Sequence, residues 1–291
     1  MTRIGVVGTK GGWSSELLAD ALAARTGYRL LVEPQRIRLD LPSGRALCDG
    51  TDLSALDGLV IKKIGARYSP DLLDRLEVLR FLSERGLPVI SDPLRILRVL
   101  DRLTCTITLQ AAGIPMPPTT ITEDVDQALA AVEEYGEVVF KPLYTSKARG
   151  MLVLRPGPDA RRAVEDYACE FPIMYIQKTV DLHDRDLGVT FLGGGYLTTY
   201  ARCKQNGAWN TTTVSGGKYA PFDPPAEIID LAARAQALFD LDFTCVDVAL
   251  TDDGPYVFEV SAFGGFRGLL DARGMDAAGL YADYVLRKVT R

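Results

Sequence analysis

The residues best placed to do chemistry are two carboxylates in otherwise apolar company. Asp247 is the one acid in the run Thr244–Leu250, and Glu259 the one acid in Pro255–Ser261. Both runs are rich in β-forming residues and flank a turn that contains Asp-Gly, the pattern of a β-hairpin. A three-residue turn, Asp252–Gly254, sets Thr251 against Pro255 and brings Asp247 directly opposite Glu259 on one face. A two-residue turn shifts the pairing by one residue and sends the acids to opposite faces. When opposed, they stand roughly 5 Å apart and, at an effective dielectric of about 20, repel by about 3 kcal/mol. A cation between them removes that penalty. Magnesium suits the pair because it takes one or two carboxylates and completes its shell with phosphates and water. Pairing of one or both acids with an unrelated Lys or Arg is the alternative.

The elements that must position this hairpin follow an α/β pattern. Arg3–Val7 reads as a buried strand, Gly8-Thr9-Lys10-Gly11-Gly12 as a turn, and Ser14–Arg25 as a helix that Ser14 or Ser15 can cap, with Glu16 in its first turn. Such a turn can present backbone N–H groups to an anion, but the spacing is neither a P-loop nor G-x-G-x-x-G, and a plain βα turn reads equally well. Leu59–Ile61, Pro70–Arg85 and Leu87–Ile90 continue as strand, helix and strand. The alternation predicts a parallel sheet with ligands beyond the carboxyl ends of its strands. Lys62, Lys63 and Arg67 lie at one such end, as contacts to an acidic substrate or as solvated surface charge. Ser91-Asp92-Pro93 starts a helix predicted to run to Ala112 and stop at Gly113. Ile114-Pro115-Met116-Pro117-Pro118 then reads as an extended linker and a domain boundary.

After the linker come a helix, Asp124–Tyr135, and a strand, Glu137–Lys141, apolar on both faces except for its terminal lysine. A lysine there calls for an anion nearby, since an unpaired buried charge is expensive. The loop Pro142–Gly150 carries hydroxyls, two cations and a glycine, and is suited to covering phosphates. Strand Met151–Leu154, helix Asp159–Cys169 and strand Ile173–Lys178 complete this segment. A second hairpin, Leu187–Leu192 and Tyr196–Arg202, turns on Gly193-Gly194-Gly195, and the polar stretch Lys204–Thr213 reads as a binding loop. Helices Ala226–Phe239 and Asp276–Lys288 bracket the acid-bearing hairpin. The expected division is an N-terminal α/β domain over 1–95, a central lobe over 96–180 and a C-terminal lobe over 181–291.

Composition narrows the function classes. The 291 residues are 47% hydrophobic and 24% charged, ordinary for a globular protein, and no apolar run approaches the roughly 20 residues of a membrane span. MTRIGVVG reads as a strand start rather than a signal peptide. The net charge of −5 argues against general affinity for nucleic acid. Five scattered cysteines, none in a C-x-x-C pair, predict reduced thiols in a cytoplasm. The single histidine, His183, excludes histidine-rich metal centres. A homo-oligomer is compatible with all of this.

Four stretches, in order over about 170 residues, resemble the ATP-grasp superfamily and, within it, the RimK-like amino-acid ligases. Asp101-Arg102-Leu103-Thr104 through Ala112-Gly113-Ile114-Pro115-Met116-Pro117 is similar to D-K-x-x-T…a-G-I-P-x-P. Phe140-Lys141-Pro142-Leu143…Arg149-Gly150 is similar to V-K-P-L-x-G-S-x-G-x-G. Tyr175-Ile176-Gln177-Lys178 to Arg185-Asp186 is similar to Q-E-F-I…r-D-I-R, and Val246-Asp247…Phe258-Glu259-Val260-Ser261 to V-D…E-V-N. The resemblance implies an ATP-grasp fold in which two α+β lobes sandwich ATP behind an N-terminal α/β domain. It assigns Arg102, Lys141, Ser146, Lys147, Arg149, Gly150 and Asp186 to the nucleotide. Gln177, Lys178, Thr179 and Val180 would hold adenine, with Asp181 or His183 on the ribose side. Asp247, Glu259 and Ser261 would bind magnesium, with manganese as the alternative ion, and Arg202 and Lys141 would serve catalysis. The implied reaction joins a small-molecule or peptide carboxylate to an amine, typically an acidic amino acid such as glutamate, through an acyl phosphate.

Several family positions are changed: Arg102 for lysine, Thr145 and Ala148 for loop glycines, Lys178 for glutamate, Gly188 for the arginine of D-I-R, and Ser261 for asparagine. The pattern is similar to that of the ATP-grasp protein of the so-called GAK gene cluster. A nucleotide-binding regulatory or scaffold protein, or a kinase on the same fold, are the other readings.

Overall fold

In the computed structural model, which describes residues 1–145, 148–204, 211 and 217–290, the alternation at the start of the chain builds a parallel sheet. Strand β1 (Ile4–Val7) leads to helix α1 (Trp13–Thr26), β2 (Leu31–Val32), a small antiparallel sheet of β3 (Ile37–Asp40), β4 (Arg45–Cys48) and β5 (Thr51–Asp52), then β6 (Gly58–Ile61), α2 (Asp71–Glu84) and β7 (Val89–Ile90). The parallel order is β2-β1-β6-β7. Strands β1 and β6 are buried along their whole length, as continuous apolar runs in a covered sheet should be. Gly12 caps α1 without a side-chain bond, so neither serine acts as the cap. Ser15 is buried and its Oγ instead accepts the Thr9 N–H at 3.2 Å.

The helix expected over residues 93–112 is two helices, α3 (Pro93–Leu100) and α4 (Arg102–Ala111). Asp92 caps the first, accepting from the N–H groups of Leu94 and Arg95 at 2.9 and 3.1 Å. Asp101 breaks the run: its backbone is extended (φ −78, ψ 108), and its carboxylate accepts the Leu103 N–H and the Thr104 hydroxyl. An aspartate competes with the helix for backbone donors, and here the competition makes a new N-cap. The linker then enters an unforeseen edge strand, β8 (Thr119–Thr122), before α5 (Val125–Tyr135), β9 (Val138–Phe140), β10 (Leu152–Leu154), α6 (Ala160–Glu170) and β11 (Met174–Lys178). These strands form an antiparallel sheet in the order β10-β9-β11-β8.

The last sheet runs β14-β13-β12-β15-β16, from β12 (Arg185–Leu192), β13 (Gly195–Cys203), β14 (Lys218–Pro221), β15 (Phe243–Thr251) and β16 (Gly254–Ser261). Helix α7 (Ala226–Ala237) precedes β15, and α8 (Phe266–Arg273) and α9 (Ala277–Val289) follow β16. The β12–β13 turn is Gly193-Gly194, both at positive φ (59 and 79), which glycine adopts without strain in this two-residue geometry.

Three bodies of apolar packing result, one of them joining Val6, Leu18 and Val60 to Tyr200, Phe243 and Tyr281. Val7, Leu59 and Leu79 share one cluster with Leu187, Val246 and Val260, so the first and last sheets are packed together. Val132, Val138, Phe140, Val164 and Ile176 form a separate core under the middle sheet. Among the described residues no helix is long and apolar enough to cross a membrane.

Gly188 has a packing reason. It pairs with Tyr200 on one side and Asp247 on the other, and a Cβ there would lie 2.4 Å from a Tyr200 ring carbon. Gly268 of α8 closes on the same ring, where a Cβ would come to 2.5 Å. Tyr200 is 3% exposed and wedged between the two glycines. Gly188→Ala is therefore expected to destabilise the fold by about 1–3 kcal/mol through overpacking. Thermal unfolding checks this, and an unchanged Tm would show that Tyr200 is not wedged.

Candidate active site

Asp247 and Glu259 do stand opposite each other, by a route the turn alone does not predict. The β15–β16 turn has two residues, Asp252-Asp253, with Thr251 paired to Gly254. That register would place the acids on opposite faces, but a β-bulge shifts it: Val248 pairs with Val257 and Asp247 with Glu259, leaving Phe258 as the extra residue. A bulge inserts one residue and re-aims the side chains beyond it. Here it cancels the one-residue slip of the shorter turn and lets the consecutive residues Phe258 and Glu259 both line the same cavity.

That cavity, about 740 Å³, is walled by the middle sheet on one side and the last sheet on the other. On the middle-sheet wall, Lys141 follows β9 and is 9% exposed. Its Nζ donates to Gln177 Oε1 at 2.5 Å, lies 5.0 Å from the Phe258 ring centroid, and makes no ion pair within 4 Å among the described residues. Burial lowers this lysine to about 7, with the charge of Arg102 adding to the effect and Glu259 opposing it. The segment Gln177–Leu182 lines the adjoining part of the cavity, with Glu137 beside it accepting the Thr179 hydroxyl at 3.0 Å.

The opposite wall is charged. Arg202 of β13 is directly across from Asp186 of β12, which it grips through both Nε and a terminal nitrogen, and the same guanidinium is 2.9 Å from Asp247. Burial raises the Asp247 carboxyl to about 7 against the pull of Arg202, with Glu259 and Asp186 pushing the same way as burial. Arg102, displayed by the break at Asp101, donates to the carbonyl of Pro142 at 3.2 Å and lies 3.8 Å from Glu259. One guanidinium thus ties the stem of the phosphate-type loop to one of the paired acids. Ser261, on the next residue of the same face, also lines the cavity.

Among the described residues no three of His, Cys, Asp and Glu converge as a metal cage. Asp247, Glu259 and the Ser261 hydroxyl are a small set of oxygen donors. They fit a hard cation that keeps waters and ligand phosphates in its shell, which is the habit of magnesium. Lys141, Arg102 and Arg202 make the surroundings fit for polyphosphate.

The other expected residues fall as follows. Asp186, Gln177, Lys178, Thr179, Val180 and Asp181 line the cavity. His183 does not: it is exposed, 3.7 Å from Asp181 and 3.4 Å from Asp252, at positive φ (51) on the outside of the connection. Arg149 and Gly150 are exposed, while Leu143, Thr145 and Ala148 of the same loop face the cavity. Ser146 and Lys147 lie outside the described residues, as do all of Lys204–Thr213 except Lys204 and Thr211, both of which line the cavity. Lys62 is neither surface charge nor a wall of the cavity, being 2% exposed. Sequence reasoning missed Tyr68, Tyr219, Glu137 and Phe258, all of which line the cavity. Tyr68 follows the carboxyl end of β6 and was within reach of the strand-end rule. Phe258 depends on the bulge.

A family model described as a RimK-like ATP-grasp domain matches residues 99–285. The tetrahydromethanopterin:alpha-L-glutamate ligase of Methanosarcina acetivorans is 23% identical over 261 residues, covering 80% of this chain and 81% of that one. A probable alpha-L-glutamate ligase of Thioalkalivibrio sulfidiphilus is 24% identical over 94% of this chain and 91% of its own length. The structure of the ATP-grasp ligase PsnB complexed with minimal precursor superposes with a TM-score of 0.76 at 18% identity, over 99% of both chains.

The buried Lys141 makes stability depend on pH in a defined direction. Its folded value, about 7, is below the ordinary 10.5, so between the two the unfolded chain binds more protons and stability rises with pH across that window. Below it the cost of the buried ammonium is fully present. Lys141→Met should remove that rise, as read by urea unfolding near pH 6 and near pH 10. Parallel profiles for wild type and variant would rule out a buried titrating ammonium.

Proposed function

The chain belongs to the RimK-like ATP-grasp family, and on that premise we propose that it is an ATP-dependent carboxylate–amine ligase, working through an acyl phosphate and adding an acidic amino acid, glutamate first, to a small-molecule or peptide carboxylate. The observation that carries the reading is the facing of Asp247 and Glu259 across a bulged hairpin, in one cavity with the buried Lys141. The glutamate-ligase names of the relatives support the choice of amino acid.

In this reading the wall of Glu137, Val139 and Gln177–Leu182 receives the nucleotide base and ribose, with Asp181 rather than His183 facing it. Lys141 meets the phosphates, exchanging its neutral Gln177 partner for an anion that restores its charge. Asp247, Glu259 and Ser261 would hold magnesium, which when bound would neutralise charge on the phosphoryl group in transfer. Arg102 orients the loop Pro142–Thr145 over the phosphates through its carbonyl contacts. Arg202, held by Asp186, offers a fixed guanidinium to the oxygens of the transferred phosphoryl or of the acyl phosphate. The amine then attacks the acyl carbon, the C–N bond forms and phosphate leaves. The cations Lys63 and Lys204, with Tyr68 and Tyr219, wall the part of the cavity left for acid and amine. Three units are proposed on the same footing, over 1–95, 96–180 and 181–291.

The test is ADP release measured over a panel of carboxylates, each with and without glutamate and other amino acids. Turnover that needs acid, amine and Mg2+ together, with an amide product by mass spectrometry, is the expected result; ATP binding without turnover on any pair would overturn it. On the active pair, Glu259→Gln should lower turnover by about 100-fold or more, and undiminished turnover would sink the metal assignment. Ser261→Asn, a longer and stronger oxygen donor, should lower the Mg2+ concentration needed for half-maximal rate; an unchanged requirement would remove residue 261 from the donor set.

A further inference from the structure

Lys62 directly follows the buried strand β6 of the parallel sheet, yet its ammonium is turned inward. Nζ donates to the Gly264 carbonyl at 2.6 Å and lies 4.0 Å from the Phe266 ring centroid and 5.8 Å from that of Phe243. Among the described residues it makes no ion pair within 4 Å. Burial, with Lys63 beside it, pushes this lysine well below its usual range. An ammonium held by one carbonyl and ring faces is expensive to bury, and a methionine would fill the same space without that expense. The carbonyl it holds is well chosen. Gly264 lies between Ser261, the last residue of β16, and Phe266, the first of α8, and Ala262 of this connection lines the cavity. A second grip lies just beyond, where the Arg267 guanidinium stacks 3.9 Å from the Trp13 ring centroid at the start of α1.

We propose that Lys62 is a positioning residue: its bond to Gly264, backed by the Phe266 ring, fixes the Ser261–Gly265 connection to the first sheet and so sets the third oxygen donor of the metal site. Lys62 itself meets neither nucleotide nor metal. The proposal rests on the ligase reading for what Ser261 holds.

The experiment compares the full-length wild type with Lys62→Met, which keeps the aliphatic packing and removes the donor, and with Lys62→Gln, which keeps an N–H donor on a shorter stem. Calorimetry measures the affinity for ADP alone and for ADP with saturating Mg2+, and hydrogen exchange follows the amides of residues 262–266. In Lys62→Met the gain in ADP affinity on adding Mg2+ should fall about tenfold, as for partners behind a metal ligand, with metal-free ADP affinity within about twofold of wild type. Exchange at 262–266 should speed up, and Lys62→Gln should fall in between. A folded Lys62→Met with the full Mg2+ gain overturns the proposal, as does an equal loss of both affinities, which would mark a general packing role. Wild type that gains nothing from Mg2+ overturns the metal assignment instead, and the exchange data then report the Lys62 anchor alone.

Discussion

The register between β15 and β16 is the constraint on which the rest of the site depends. A strand has only two faces, so one residue of slip decides whether Glu259 meets Asp247 or the core. The two-residue turn slips the pairing one way and the bulge at Phe258 slips it back. Everything that touches Asp247 inherits the result. Gly188 and Tyr200 lie along the same row of the sheet, and Arg202 and Asp186 two rows over, on the same face. The ring of Phe258, freed by the bulge, faces Lys141 across the cavity.

The cations nearest the paired acids are each only partly paired. Arg202 is shared by Asp186 and Asp247, Arg102 divides its donors between loop carbonyls and Glu259, and Lys141 makes do with a neutral amide. In the proposed ligase, such partial pairing would leave cationic donors available to a polyphosphate.

Much of this was legible in the sequence. The strand–helix alternation, the Asp92 cap, the lysine at the end of β9 and the two acids all declare themselves through local pattern, because burial and capping act over a few residues. What failed was whatever depends on tertiary competition. Asp101 splits a helix whose apolar periodicity runs through it. The edge strand β8, four residues of threonine and isoleucine, is recognisable only beside β11. The bulge has no residue signature, so the right pairing of acids was expected from the wrong turn. Lys62 looked like surface because lysine usually is, and only packing against α8 shows otherwise. His183 drew attention as the lone histidine, and it sits exposed, outside the lining of the cavity.

The middle sheet owns its core, whereas the first and last sheets share two. The wall bearing Lys141 and Gln177 and the wall bearing Asp247 and Glu259 are thus foundations laid separately on either side of one cleft. A substitution that softens Phe140 or Ile176 loosens the grip on one wall while leaving the other standing.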